Sequence, residues 1–189
     1  MLDALAAADD IAVDAFLCPA HVSAIIGARV YEAFAERHTK PCVVAGFEPL
    51  DILYGVAGLL EQLARREASV VNQYGRVVRS EGNPRALSLM NGCLETAPAV
   101  WRGLGEIPDS GYRLRPAFAA FDAESRFGVS VTPGRVHPGC RCGDVLKGMI
   151  EPPQCRLFGR ACTPEHPYGP CMVSSEGSCA ARYKYARCA

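Results

Sequence analysis

Two periods of hydrophobicity alternate along the first hundred residues. Ile11, Val13, Ala15 and Phe16 form a short apolar run that stops at Cys18-Pro19, which predicts a strand. From His21 the apolar positions Val22, Ile25, Ile26, Val30 and Phe34 recur every three to four residues, as one long amphipathic helix over HVSAIIGARVYEAFAERH requires. The pair then repeats. Residues 41–46, PCVVAG, are a continuous apolar run of strand length, and Pro49 opens the helical stretch PLDILYGVAGLLEQLARREA, at a position where its missing N–H costs nothing. Residues 2–8 read as the end of a helix, Val70-Val71 as a third strand, and 83–94 as another helix. Trp101 to Leu104 read as a final strand before a Gly/Pro/Asp-rich stretch through Tyr112. Apolar strands alternating with helices predict an α/β fold, a parallel sheet flanked by helices over residues 1–125. Residues 126–136 are the expected linker, and 137–189 a small cysteine-rich domain, mostly helical or irregular.

Charge narrows the partners. The formal net charge is zero with acids and bases interspersed, which leaves no electrostatic footprint for nucleic acid or an anionic membrane surface. No apolar run reaches the ~18 residues of a membrane span. The opening MLDALAAADDIAVDAF lacks a basic start and carries Asp3, Asp9 and Asp10 where a secretory segment needs apolar residues, so a cytoplasmic location is expected. In that reducing setting a dense cysteine cluster reads as metal-binding or redox-active before it reads as a disulfide framework.

Seven of the ten cysteines fall between His137 and Cys188. Four define the frame Cys140-x14-Cys155-x6-Cys162-x16-Cys179, with Cys142, Cys171 and Cys188 as additional thiols that could form a redox pair or stand by. Thiolates are soft ligands for zinc and for iron–sulfur clusters. Structural zinc sites usually take ligands from close pairs, and Cys140-Arg141-Cys142 is the one close pair here. Turns at Pro152-Pro153, Gly159, Pro164, Pro167, Gly169-Pro170 and Gly177 would let the wider spacings wrap a larger cubane. Spacing alone leaves both metals open.

Ligands of open α/β sheets sit at the carboxyl ends of the strands. Two loops deliver chemistry there: residues 18–23, with His21 and Ser23, and residues 46–51, with Glu48. Ser23 and Asp51 also suit helix caps. Cys18 and Cys42 read as buried small hydrophobes and Cys93 as a helix-borne one.

The stretches PAHVSAIIG, PCVVAGFEPLDIL, NQYGRVVRSEGN, CRCGDVLKG and LFGRACTPEHPYGPCMVSSEGSCAARYKY together resemble the C-terminal portion of the HypD family. These hydrogenase formation proteins help assemble the Fe(CN)2CO group of [NiFe]-hydrogenases. The resemblance implies a maturation scaffold more than a stand-alone enzyme. It implies a [4Fe–4S] cluster in the C-terminal domain that passes electrons to the nascent iron centre, beside an α/β wall of a cleft. Carried over by position, Cys140, Cys155, Cys162 and Cys179 match the cluster-ligand spacing, with Cys142 as an alternative first ligand. The implied partners are the small chaperone HypC and the cyanide donor HypE.

Family members are roughly double this length, and their N-terminal half carries C-G-x-H-x-H and G-P-G-C-P-V-C motifs that do not occur here. A fragment, one half of a split protein or a truncated relative is therefore expected, with a separate N-terminal half as a further partner. The family's P-G-H-V-S reads Pro19-Ala20-His21-Val22-Ser23 in this chain, which adds a Cβ to that loop. The alternative reading is a non-catalytic interaction module with a structural metal, zinc or cluster, that docks with an N-terminal half or a chaperone.

Overall fold

The computed structural model describes residues 2–8, 10–101, 104–129 and 137–186. It divides into two compact units, one of Leu2–Ala7 with Val13–Glu95, the other of Ala8–Ala12 with the described residues from Thr96 onward.

The first unit carries a three-stranded parallel sheet. Strands β1 (Phe16–Pro19) and β3 (Val70–Asn72) flank β2 (Cys42–Ala45), with Cys18 opposite Val44 and Val43 opposite Val71. All four residues of β2 are buried, as a strand covered on both faces requires. Helices flank the sheet: α1 (Leu2–Ala6), α2 (Ala20–Ile26), α3 (Glu32–His38), α4 (Pro49–Arg65) and α5 (Pro84–Cys93). The α/β expectation with a parallel, helix-flanked sheet holds. Pro49 and Pro84 occupy first helical turns, and the Asn83 side chain caps α5 by accepting from the Arg85 and Ala86 N–H groups. Cys18, Tyr31, Phe34, Cys42, Val44 and Val78 form the core of this unit.

Three sequence expectations shift. The first strand begins only at Phe16, because residues 11–15 pair with no strand and Ala12 N–H donates instead to the Lys147 carbonyl. The single helix expected from His21 breaks after Ile26 into α2, a 3-10 turn at Arg29–Tyr31 and α3. The break is made at Gly27, which adopts φ 89° and ψ 161°, a region essentially closed to other residues. Residues 79–83 are bonded to it: Ala28 and Arg29 donate to the Arg79 and Ser80 carbonyls, and Asn83 donates to Ile25.

The third shift lies in the second unit. Of the expected strand Trp101–Leu104, Trp101 ends β4 (Leu94–Trp101) and 102–103 lie outside the described residues, while the Gly/Pro/Asp stretch that follows is β5 (Gly105–Leu114). The two strands form a two-stranded sheet. Their three-residue connection requires an antiparallel pair. Pro108 is tolerated because a two-stranded sheet is all edge. A 3-10 stretch, Pro116–Phe121, leads to α6 (Ala123–Phe127), which Asp122 caps by accepting from Glu124 N–H. Of the expected linker 126–136, the first residues close α6 and 130–136 lie outside the described residues.

Beyond it come α7 (Cys142–Leu146), a 3-10 turn at Pro152–Gln154, α8 (Pro170–Val173) and α9 (Ser178–Tyr185), joined by turns. Their buried core is Cys142, Val145, Cys162, Cys171, Met172, Cys179 and Ala180, so four of its seven residues are cysteines. Among the described residues no helix is long and apolar enough to cross a membrane.

Candidate functional site

Six cysteines converge on one apolar pocket. Cys140, Cys142, Cys155, Cys162, Cys171 and Cys179 line it together with Val145, Leu157, Phe158 and Met172. Short elements bring them there: Cys142 opens α7, Cys171 sits in the first turn of α8, and Cys179 in that of α9. Cys155 and Cys162 bracket a tight loop in which Cys162 N–H donates to Leu157 and Gly159 N–H donates back to Cys162. Cys188 lies outside the described residues.

Two features of the surroundings are shaped to sulfur. The Tyr168 N–H donates to Cys162 Sγ at 3.4 Å, the kind of bond that stabilises a thiolate ligand and tunes a cluster's potential. A Cβ added at Gly169 would stand 2.5 Å from Cys140 Sγ, so the glycine is what lets the backbone pass that close to the thiol. The His137 ring packs at a tilt against Tyr168, with a centroid distance of 4.7 Å, and its Nδ1 accepts from Gly139 N–H. No three of the His, Cys, Asp and Glu side chains among the described residues are gathered to the spacing of a single ion.

The thiols differ in their contacts. Cys142 Sγ lies 2.7 Å from Cys171 Sγ, inside non-bonded contact and beyond the ~2.05 Å of a formed disulfide. Hydrogen bonding with Cys142 and then with Cys179 pushes the Cys171 thiol up, and the same contact holds Cys179 down, toward thiolate. Burial pushes the Cys140 thiol up. Six soft thiol donors lining one apolar pocket are a donor set that a thiolate-bound cluster would fit, and within it Cys171 contacts both Cys142 and Cys179.

The carboxyl ends of β1 and β2 carry a second, open cleft lined by Ala20, His21, Ala24, Gly46, Phe47 and Tyr74, where His21 stacks against Phe47 at 5.2 Å. Ser23 is not in it. Its buried hydroxyl donates to the Pro19 carbonyl at 2.9 Å and meets the Tyr31 hydroxyl at 3.1 Å, a bond across the helix break in place of a cap. Glu48 turns toward Arg76, whose Nη2 donates to it at 3.2 Å. Cys18 and Cys42 are buried in the sheet core, where contact with Cys42 and then burial push the Cys18 thiol up; both pack as small hydrophobes.

Arg76 is the residue that sequence reading missed. It grips Asp51 with two parallel bonds, 2.9 and 2.8 Å, reaches Glu48, and stacks on Tyr74 at 4.0 Å. Nothing local in NQYGRVV signals this, because the partners stand 25 and 28 positions away. The bidentate guanidinium holds the Asp51 carboxyl below its ordinary value. The stability this pair contributes is present above the unfolded carboxyl value and is lost as pH falls through the lower folded value. Arg76→Met is expected to lower the melting temperature near neutrality and to move acid unfolding to higher pH. Coincident acid-unfolding curves for the two proteins, followed by circular dichroism, would remove the clamp.

Residues 1–186 match the HypD model, described as the hydrogenase formation hypA family. The chain is 47% identical over 176 residues to the hydrogenase maturation factor HypD of Cupriavidus necator, covering 93% of this chain and 46% of that protein. It is 45% identical over 183 residues to the factor of the same name from Azotobacter vinelandii, with 96% and 48% covered. A putative hydrogenase expression/formation protein of Methanocaldococcus jannaschii is 41% identical over 175 residues, with 93% and 49% covered. The chain thus spans about half the length of these relatives. The match runs through both the sheet and the cysteine pocket, and the chain belongs to the HypD family of hydrogenase formation proteins.

Proposed function

We propose that this chain is the electron-handling part of a hydrogenase maturation scaffold. It holds a [4Fe–4S] cluster through Cys140, Cys155, Cys162 and Cys179 and supports assembly of the Fe(CN)2CO centre of [NiFe]-hydrogenase. The observation that carries this reading is the convergence of six thiols on one apolar pocket, two of them already paired off at 2.7 Å. When bound, such a cluster supplies single electrons at a potential tuned by burial and by bonds to its sulfurs.

The chain's own residues do the rest. Tyr168 N–H and the apolar lining stabilise and shield the ligand sulfurs. Cys142 and Cys171 form a dithiol in mutual contact, which a two-electron oxidant such as molecular oxygen would close to a disulfide with loss of both thiol protons. On this reading Cys140 is the first ligand and Cys142 a redox thiol. Thiol chemistry of this kind asks for the reducing cytoplasm. A HypC-like chaperone and a HypE-like cyanide donor are the partners this role calls for, together with the half of the scaffold that the relatives possess and this chain does not span.

Anaerobic reconstitution followed by iron and sulfide analysis tests the cluster. A brown protein containing both elements, reducible by dithionite, is expected. A colourless protein with one zinc and no sulfide overturns the reading in favour of a structural metal in an interaction module. Cys171→Ser is expected to keep its iron and sulfide while losing the 142–171 cross-linked peptide from oxidised protein digests. Loss of the cluster in that variant would make Cys171 a ligand and dissolve the proposed pair.

A further inference from the structure

Helix α4 lies the wrong way round for a surface helix. Its buried positions are Asp51, Gly55 and Gln62, with Gly58 and Leu59 half-buried, so the face against the sheet is polar and small. The approach is close because of Gly55: a Cβ there would stand 2.6 Å from Leu17 Cδ1 and 2.9 Å from the Ala45 Cβ. The opposite side is apolar. Leu50 is 67% exposed, Leu53 65%, Tyr54 63% and Leu60 60%, and at spacings of three, four and seven they form one continuous stripe. Phe47, 65% exposed, extends it past the N-terminus of the helix. Glu61 is the one charge within the stripe, and Arg65 ends the helix. An ordinary surface helix has the reverse arrangement, and a helix that is apolar nearly all round belongs in an interior. A patch of this kind on a soluble unit marks an interaction surface.

The occupant follows from length and charge. Relatives at 45–47% identity carry as much sequence again beyond the part matched here. An anionic membrane surface is disfavoured because the basic residues of this helix, Arg65 and the capping Arg66, sit at its C-terminal end and none lies along the stripe. We infer that the outer face of α4, centred on Leu53 and Leu60, is the seat of the polypeptide that forms the other half of the relatives, and that docking it completes the interior of the scaffold. The inference rests on family membership and is independent of the cluster.

The test mixes this 189-residue chain with a separately produced polypeptide comprising the part of the Cupriavidus necator relative that has no counterpart here. A one-to-one complex by light scattering is expected, in which Leu53→Asp with Leu60→Asp weakens binding about 100-fold or more, since central apolar anchors dominate such interfaces. Both substituted side chains are exposed in the free chain, so an unchanged circular dichroism melt and unchanged iron content identify the loss as one of docking. No complex, or a complex indifferent to the double variant, overturns the inference. So does a free chain that self-associates through α4 and becomes monomeric in the double variant, or one whose α4 is protected from hydrogen exchange only by phosphatidylglycerol vesicles.

Discussion

Cys162→Ser is expected to leave the protein without an iron–sulfur cluster and without a folded cysteine-rich segment. Cys162 is 7% exposed and accepts the Tyr168 N–H, and its own backbone closes the 157–162 loop, so its sulfur cannot be replaced by another nearby group without opening that loop. The consequence reaches beyond the site because four of the seven buried residues of this core are cysteines. A few hydrocarbon side chains cannot offset the ordering of some fifty residues, and in small thiolate domains metal binding supplies on the order of 10 kcal/mol of folding free energy. That is comparable with the whole stability of a typical domain. Hydrogen exchange should show residues 137–186 losing protection while residues 13–95, which have their own core, keep theirs. A Cys162→Ser protein that retains cluster absorption and full protection would show that neither the ligand assignment nor the coupling is correct.

Gly27→Ala is the second large effect, and it acts through the backbone. At φ 89° and ψ 161° an alanine is strained by roughly 1–3 kcal/mol. Its Cβ would also lie 2.3 Å from the Ser80 carbonyl oxygen and 2.6 Å from Gly82 N, where no flexible side chain can give way, adding about 1–3 kcal/mol. Gly82 is its mirror partner, with φ 72° and an added Cβ 2.3 Å from the Ile25 carbonyl oxygen. The two glycines let the 79–83 loop bond to the helix break, and Ser23, Tyr31 and Val78 pack around that junction. The melting temperature of Gly27→Ala should fall by at least about 8 °C, the product of the low ends, about 2 kcal/mol and about 4 °C per kcal/mol for a unit of this size. A fall of less than about 2 °C would mean that the junction relaxes freely and that the glycine contact is incidental.

The same junction shows why local pattern reading overran. The apolar period from Val22 to Phe34 is continuous, so it predicts one helix; the break is imposed by Ser80 and Gly82, more than fifty positions along the chain. The strand β5 was hidden for the opposite reason. Pro108, which has no N–H, Asp109 at φ 49° and Gly111 are turn residues by local rule, and they are tolerated here because each strand of a two-stranded sheet has one edge that bonds to no further strand. By contrast β2, α4, β3 and α5 are legible directly, since a fully apolar run, the N-terminal Pro49, the Val70-Val71 pair and the helical stretch 83–94 state their elements without help from elsewhere.

At the site the division is similar. The expectation that the cysteines of residues 137–188 form a metal or redox site is readable from soft-ligand chemistry and density, and the frame of four comes with their resemblance to a family. Which thiol faces which is not. Cys142 and Cys171 are separated by 29 positions, and their 2.7 Å approach depends on how α7 and α8 pack. The Arg76 clamp and the inward turn of Ser23 are likewise products of packing.

The sequence by itself therefore determined the alternation of strand and helix, the parallel sheet and the clustering of cysteines in the last third of the chain, because each depends on composition or on spacing within a few residues. Only the tertiary structure decided where α2 ends, how Cys142 and Cys171 pair, what Arg76 holds, and that α4 turns its polar face inward and its leucines out. Those features depend on which distant backbone or side chain arrives at a contact distance of a few ångströms, a quantity that no local pattern encodes.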